Sequence, residues 1–137
     1  MSAIRILLDH PHCADVYFNV AYTLDRLSAL GIEHVFGVPG DYAFPLNDPV
    51  KVHPRLQWVP SSNELNAANA ADGYARRKVA AIVCTPYGVG ELSALNGLMG
   101  SMAERLPVFL LVSTTSMRIV RQDLVCRHML PVASVPG

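Results

Sequence analysis

Asn63-Glu64-Leu65-Asn66-Ala67-Ala68-Asn69-Ala70-Ala71-Asp72-Gly73-Tyr74-Ala75-Arg76 is the stretch on which the reading of this chain turns. It opens from a polar knot, Ser61-Ser62, and runs out at Arg76-Arg77-Lys78. The alanine-rich run carries almost no bulky side chain and reads as a helix from about Asn63 to Arg77. Small residues on a helix let another backbone or a flat ligand come very close. A single carboxylate, Glu64, stands at the mouth of that helix.

Outward from this helix, strand and helix signals alternate. Val79 to Cys84 is an apolar run without polar alternation, as expected of a strand buried on both faces. Leu56-Gln57-Trp58-Val59, ended by Pro60, is a strand before the helix, and His34 to Val38 is another. Pro107 to Val112 is a fourth. Val16, Val20, Leu24, Leu27 and Leu30 recur at spacings of three and four, which predicts a helix from Asp15 with Gly31 as its C-cap. A short helical signal covers Phe44 to Val50, and Glu91 to Arg105 reads as a third long helix. The alternation predicts an α/β chain of three layers, a mostly parallel sheet with helices on both faces. Residues 1–14 read as an N-terminal leader, 15–130 as one domain and 131–137 as a divergent tail.

The polar motifs fall on one edge of that map. Pro39-Gly40-Asp41 follows the first strand, Ser61 to Glu64 the second, Thr85 to Glu91 the third and Ser113 to Ser116 the fourth. All four lie at carboxyl ends of strands, where open parallel sheets bind ligands. A small-molecule site is therefore expected from topology alone.

Bulk properties narrow the classes of partner. A length of 137 residues suits one domain. Eleven basic residues balance eleven acidic ones, which argues against an electrostatic nucleic-acid or anionic-membrane binder. No apolar run reaches the ~18 residues of a membrane span, and Arg5 and Asp9 interrupt the apolar patch at the N-terminus without a cleavage site after it. A cytoplasmic location is expected. Cys13, Cys84 and Cys126 are scattered and form no C-x-x-C pair, so they read as reduced thiols. His10-x-His12-Cys13 has crude ligand spacing but no second pair, and no metal site is expected in this chain. His34 and His53 read as structural.

Taken alone, each candidate residue also has a local reading. Ser61-x-x-Glu64 fits a capping box. Asp41 after Pro-Gly fits a turn. Gly88-Val89-Gly90 is a weak dinucleotide signal, because Ser93 stands where the third glycine belongs. Glu91 fits a first-turn helix acid.

Together, Gly37-Val38-Pro39-Gly40-Asp41, the Asn63–Arg76 stretch and Tyr87-Gly88-Val89-Gly90-Glu91 resemble the pyrimidine-binding domain of thiamine-diphosphate 2-oxo-acid decarboxylases, in the indolepyruvate, phenylpyruvate and pyruvate branch. The resemblance runs from about Val16 to Leu130. It implies a flavodoxin-like fold. It gives Glu64 the bond to the aminopyrimidine ring nitrogen that lets the coenzyme deprotonate its own thiazolium carbon. It places Asp41 at the reacting carbon, as a proton carrier. Pro39, Gly40, Gly88 and Val89 become coenzyme contacts, with glycine allowing close backbone approach. A pair of adjacent histidines is expected after the fourth strand. Here that pair falls on Arg127 and His128, so His128 is the remaining catalytic candidate and Arg127 supplies only fixed charge.

The resemblance also implies what must come from elsewhere. The family's Gly-Asp-Gly motif and its magnesium ligands lie in a further domain, and neither is in this sequence. The chain is thus expected to hold part of a thiamine diphosphate site, with Mg2+ reaching it only through a missing domain or partner, to pair as a homodimer or with a companion diphosphate-binding chain, and to act on a small 2-oxo acid. The alternative is a non-catalytic remnant acting as an interaction or regulatory module. A flavodoxin-like binder of another planar ligand would rest on architecture alone.

Overall fold

The computed structural model describes residues 3–6 and 13–114, with the backbone alone for 3–6 and 13–18. Among the described residues five strands form one sheet: β1 (Ala3–Ile6), β2 (His34–Gly37), β3 (Gln57–Pro60), β4 (Ala81–Pro86) and β5 (Val108–Ser113). Their order is β1-β5-β4-β2-β3, and every pairing is parallel. Helices α1 (Cys13–Ala29), α2 (Phe44–Val52), α3 (Glu64–Ala75) and α4 (Val89–Ala103) make the crossovers. The chain is a three-layer α/β fold, as the alternating signals predict.

β4 lies between β5 and β2, and its residues Ala81 to Thr85 are all buried. Successive side chains of a strand point to opposite faces, and the core divides accordingly. Ala81 and Val83 join Ala67, Ala68, Ala71 and Leu98 on the face covered by α3 and α4. Ile82 and Cys84 join Leu24, Ile32, Leu46 and Val50 on the face covered by α1 and α2. Both faces being apolar is the reason the sequence shows no alternation there.

Helix α1 begins two residues before the expected Asp15. Val20, Leu24 and Leu27 are buried as their spacing predicts, whereas Leu30 is half exposed. The helix has ended by then: Gly31 has φ 90° and its N–H donates to the Ser28 carbonyl at 2.9 Å. The left-handed conformation favours glycine at that turn. Residues 3–6 fall within the stretch read as a leader, yet they form an edge strand in register with Leu110 to Ser113. β4 starts and ends two residues later than its apolar run suggests. Val79 is exposed, while Thr85 and Pro86 pair with Val112 and Ser113. Backbone pairing carries the strand past the end of its hydrophobic signal.

The small residues of α3 face α4. A Cβ placed on Gly97 of α4 would stand 2.8 Å from the Cβ of Ala68. The alanine run therefore serves close approach between two helices. At the far end of that contact, the Ser101 hydroxyl donates to Asp72 Oδ2 at 2.7 Å and Arg76 Nε donates to Asp72 Oδ1 at 2.6 Å. The Arg76 hydrogen bond is the main reason the Asp72 carboxyl sits below its ordinary value of 3.8; burial opposes it, and the Ser101 hydrogen bond adds a lesser lowering.

Candidate functional site

After β2 the chain turns outward to β3, then crosses back to β4 on the other side of β2. This reversal makes a switch point, and the crevice beyond the carboxyl ends of β2 and β4 is where such sheets take ligands. A cavity of about 380 Å³ occupies it, lined by Pro39, Gly40, Asp41, Tyr42, Glu64, Pro86 and Val89.

Each wall has a local cause. The loop after β2 closes on itself through an Ala43 N–H to Gly40 carbonyl bond of 2.7 Å, which presents Asp41 and Tyr42 at the rim. The Tyr42 ring meets the buried Tyr87 ring edge-on, with centroids 5.2 Å apart. Tyr87 is held in turn by its N–H to the Ser113 carbonyl at 2.9 Å. These contacts tie the β2 loop to the β4 loop and to β5.

Glu64 comes from α3, and here the structure corrects the capping-box expectation. Asn63 is the N-cap: its side-chain oxygen accepts from the Asn66 N–H at 2.8 Å. Ser61 is not the cap, and Glu64 is the first helical residue. An aspartate, asparagine or serine caps a helix by the same hydrogen bond, so three adjacent cap-competent residues left the choice to backbone geometry. The Glu64 carboxylate is turned toward the β4 loop, with Oε1 3.1 Å from where a Cβ on Gly90 would stand. It is half-buried beside the positive end of α3.

Val89 begins α4. Gly88 lies behind it and does not line the cavity. With φ 69° it turns the chain into α4, its N–H donates to Glu91 Oε1 at 3.2 Å, and its carbonyl accepts from Leu92 N–H at 2.9 Å. Glu91 is thus a first-turn acid that serves the helix start.

Of the residues singled out in the sequence, Pro39, Gly40, Asp41, Glu64 and Val89 converge on the cavity. His128, with Arg127, lies outside the described residues. Sequence reasoning missed Tyr42 and Pro86. Both adjoin motifs it had marked, Tyr42 next to Asp41 and Pro86 directly before Tyr87-Gly88, and position beside a marked strand end was the available signal.

The lining sets the chemistry. Pro39, Tyr42, Pro86 and Val89 offer apolar surface, and Asp41 and Glu64 offer carboxylates. That set suits a flat heteroaromatic ring with a nitrogen able to share a proton with a carboxyl group. Among the described residues no lysine or arginine lines the cavity, so none of them provides there the charge-assisted bonds a diphosphate needs. The residues therefore fit the ring part of the implied coenzyme and not its diphosphate. Among the described residues no three His, Cys, Asp or Glu side chains are grouped to hold a metal ion, and no helix is long and apolar enough to cross a membrane.

A wider cleft of about 600 Å³ lies at the opposite edge of the sheet, where Glu33, His34, Arg55 and Gln57 flank the starts of β2 and β3. It gathers neither Asp41 nor Glu64 and sits away from the switch point, so it is not the candidate site. His34 Nδ1 lies 3.1 Å from the Tyr74 hydroxyl. His53 Nδ1 accepts from the Arg55 and Leu56 N–H groups at 3.2 and 3.1 Å, and its Nε2 lies 3.1 Å from Asp25 Oδ1. His34 thus links β2 to α3, and His53 holds the turn after α2.

Comparison with known proteins agrees with this geometry. Residues 20–132 match the family described as thiamine pyrophosphate enzyme, N-terminal TPP binding domain. An alpha-keto-acid decarboxylase of Mycobacterium ulcerans is 48% identical over 111 residues, covering 80% of this chain and 20% of the relative. An alpha-keto-acid decarboxylase of Mycobacterium avium is 52% identical over 95 residues, covering 69% and 17%. The chain spans about a fifth of the length of these relatives. An X-ray structure of a protein from Mycobacterium smegmatis, described as a thiamin diphosphate-dependent enzyme, superposes with a TM-score of 0.69 at 24% identity, covering 88% of this chain and 22% of that one. At that identity the likeness speaks for the fold.

Proposed function

Because the chain belongs to the N-terminal TPP binding domain family of thiamine pyrophosphate enzymes, we propose that it supplies the pyrimidine-binding half of a thiamine-diphosphate-dependent 2-oxo-acid decarboxylase of the indolepyruvate/pyruvate type. It acts only together with a diphosphate-binding domain. The observation that carries this reading is the meeting of Asp41 and Glu64, far apart in sequence, on one cavity at the switch point.

Bound thiamine diphosphate supplies the nucleophilic carbon that attacks a 2-oxo acid and accepts the electrons released with carbon dioxide. The chain's residues prepare the ground for it. Glu64 shares a proton with the ring nitrogen. Asp41, on the open rim, carries protons to and from the reacting centre. Pro39, Tyr42 and Val89 would contact the ring and keep water from it. Magnesium and the diphosphate are held by the companion domain.

α4 offers the surface on which such a companion, or a second copy of the chain, can dock. Val89, Leu92, Met99 and Met102 are each more than half exposed, an apolar patch of the kind that marks an interface. The same patch favours the second reading, a non-catalytic interaction module, which needs the surface and not the chemistry.

The test is reconstitution of the full chain with a diphosphate-binding domain of a relative, thiamine diphosphate and magnesium. Hydrogen–deuterium exchange at the thiazolium carbon is the readout. In Glu64→Gln the exchange rate should fall by several orders of magnitude, each tenfold being about 1.4 kcal/mol. Exchange as fast as in the parent overturns the role of Glu64. A complex that assembles without accelerating exchange leaves the interaction module standing. Calorimetry with the chain alone and magnesium should show binding no tighter than micromolar, and a submicromolar dissociation constant defeats the half-site reading.

A further inference from the structure

Pro86 closes the central strand of the sheet, in register with Ser113. As the last residue of β4 it lies beyond the final β2–β4 pair, Gly37 with Cys84, at the end of the ladder, where a missing N–H interrupts little. Strand pairing permits a proline there but does not call for one. Its surroundings do.

The ring is wedged between the two loops of the switch point. A Cβ on Gly40, in the β2 loop, would stand 3.3 Å from both Cβ and Cγ of Pro86. A Cβ on Gly90, beyond the β4 loop, would stand 2.8 Å from Pro86 Cγ, 3.0 Å from Cδ and 3.1 Å from Glu64 Oε1. The ring edge and the carboxylate oxygen thus flank the same small volume above the Gly90 backbone. Gly90 is buried, so that volume is closed from the helix side.

The geometry points to Pro86 as a positioning residue for Glu64: its ring is the fixed wall that sets where the carboxylate lies and shuts water from one side of it. A proline suits the task on two counts. Its ring has no rotamers to explore. It also brings no donor, whereas a serine or threonine hydroxyl at this place would compete for the carboxylate. In its function this role rests on the reading of Glu64 as the ring's proton partner. In its geometry it rests on Gly40, Gly90 and Glu64 alone.

Carboxyl footprinting of the full chain, with a water-soluble carbodiimide and an amine and no coenzyme, reads the wall directly. Pro86→Ala removes Cγ and Cδ, and the labelling rate of Glu64 should rise several-fold while that of Asp72, locked by Arg76 and Ser101 on the far part of α3, stays constant. An unchanged Glu64 rate, or a rise matched by Asp72, overturns the proposal. Gly90→Ala is the second arm, should Pro86→Ala fold poorly. Its added methyl must push the ring or the carboxylate, so Glu64 labelling should change with Asp72 again constant, and no change counts against the wall. Thermal melts complete the cycle. Gly90→Ala should lower Tm by several degrees in the parent and by much less alongside Pro86→Ala, and equal drops in both backgrounds refute the contact. Since none of these measurements contains thiamine diphosphate, failure of coenzyme binding leaves them intact. Their failure in turn leaves the Glu64→Gln exchange test intact.

Discussion

Beneath α1 and α2 the sheet is covered by Leu24, Leu27, Ile32, Leu46 and Val50. Beneath α3 and α4 the corresponding positions are Ala67, Ala68, Ala71, Ala75 and Ala94. The first face fills its space with large side chains, and the second removes the space by bringing backbones together. The difference teaches how each face can fail. Bulky cores are weakened by cutting atoms away, and small-residue contacts by adding them. It also shows where association can occur: α4 turns Leu92, Met99 and Met102 outward.

The largest expected effect tests the bulky face. Leu24 is fully buried, and Leu24→Ala should cost about 2–5 kcal/mol, read by urea unfolding of the chain. A loss below ~1 kcal/mol would show that the α1/α2 face collapses onto the gap and is not the tightly filled side.

Gly97→Ala tests the other face. Its methyl would meet Ala68 Cβ at 2.8 Å and Asn69 Oδ1 at 2.9 Å. Overpacking of about 1–3 kcal/mol should outweigh the ~1 kcal/mol that alanine gains over glycine in a helix, leaving net destabilisation. A stabilised variant would mean the helices part without difficulty.

Gly100→Ala, one turn along the same helix, sharpens the contrast because a Cβ there meets nothing within 4 Å. It should stabilise the isolated chain by roughly 0.5–1 kcal/mol. If α4 is an interface, the same change should weaken association measured by sedimentation. A variant that gains stability and associates as before would remove Gly100 from that interface.

The smallest effect is electrostatic. The folded Asp72 carboxyl lies below its unfolded value of 3.8. Its contribution is therefore complete above that value and is lost as pH falls through the lower folded value. Between pH 6 and pH 3 the parent should lose slightly more stability than Asp72→Asn, in parallel denaturant titrations. Identical pH slopes would show that the Asp72–Arg76–Ser101 cluster contributes nothing to joining α3 and α4.

The sequence made the central parts legible because their causes are local. Val79 to Cys84 and Pro107 to Val112 are apolar runs that only a strand buried on both faces explains, and Gly-Pro punctuation placed the loops. Glu64, Asp41, Pro39, Gly40 and Val89 could be gathered because four loops share one edge of a parallel sheet. What stayed hidden depended on partners distant in sequence. β1 is four residues long and exists through its pairing with β5. Asn63 rather than Ser61 caps α3 because backbone direction selects among equivalent side chains. The alanines of α3 suit the approach of another backbone or of a flat ligand, and only the packing of Gly97 on Ala68 picks the backbone. Pro86 read as loop punctuation, since nothing local reveals that its ring lies between two glycines.

Cys84 offers a clock. Its side chain is fully buried, and burial pushes the thiol up to about 12. The thiolate is the form that attacks alkylating agents, so the folded molecule presents almost no nucleophile at neutral pH. The thiol becomes reactive only when the chain opens around β4, the middle strand of the five. Peptide-resolved trapping of Cys84 therefore counts excursions of the molecule's centre and not the fraying of its margins. The ratio of that rate to the rate in denaturant gives the free energy of opening, under native conditions and at a residue the chain already carries.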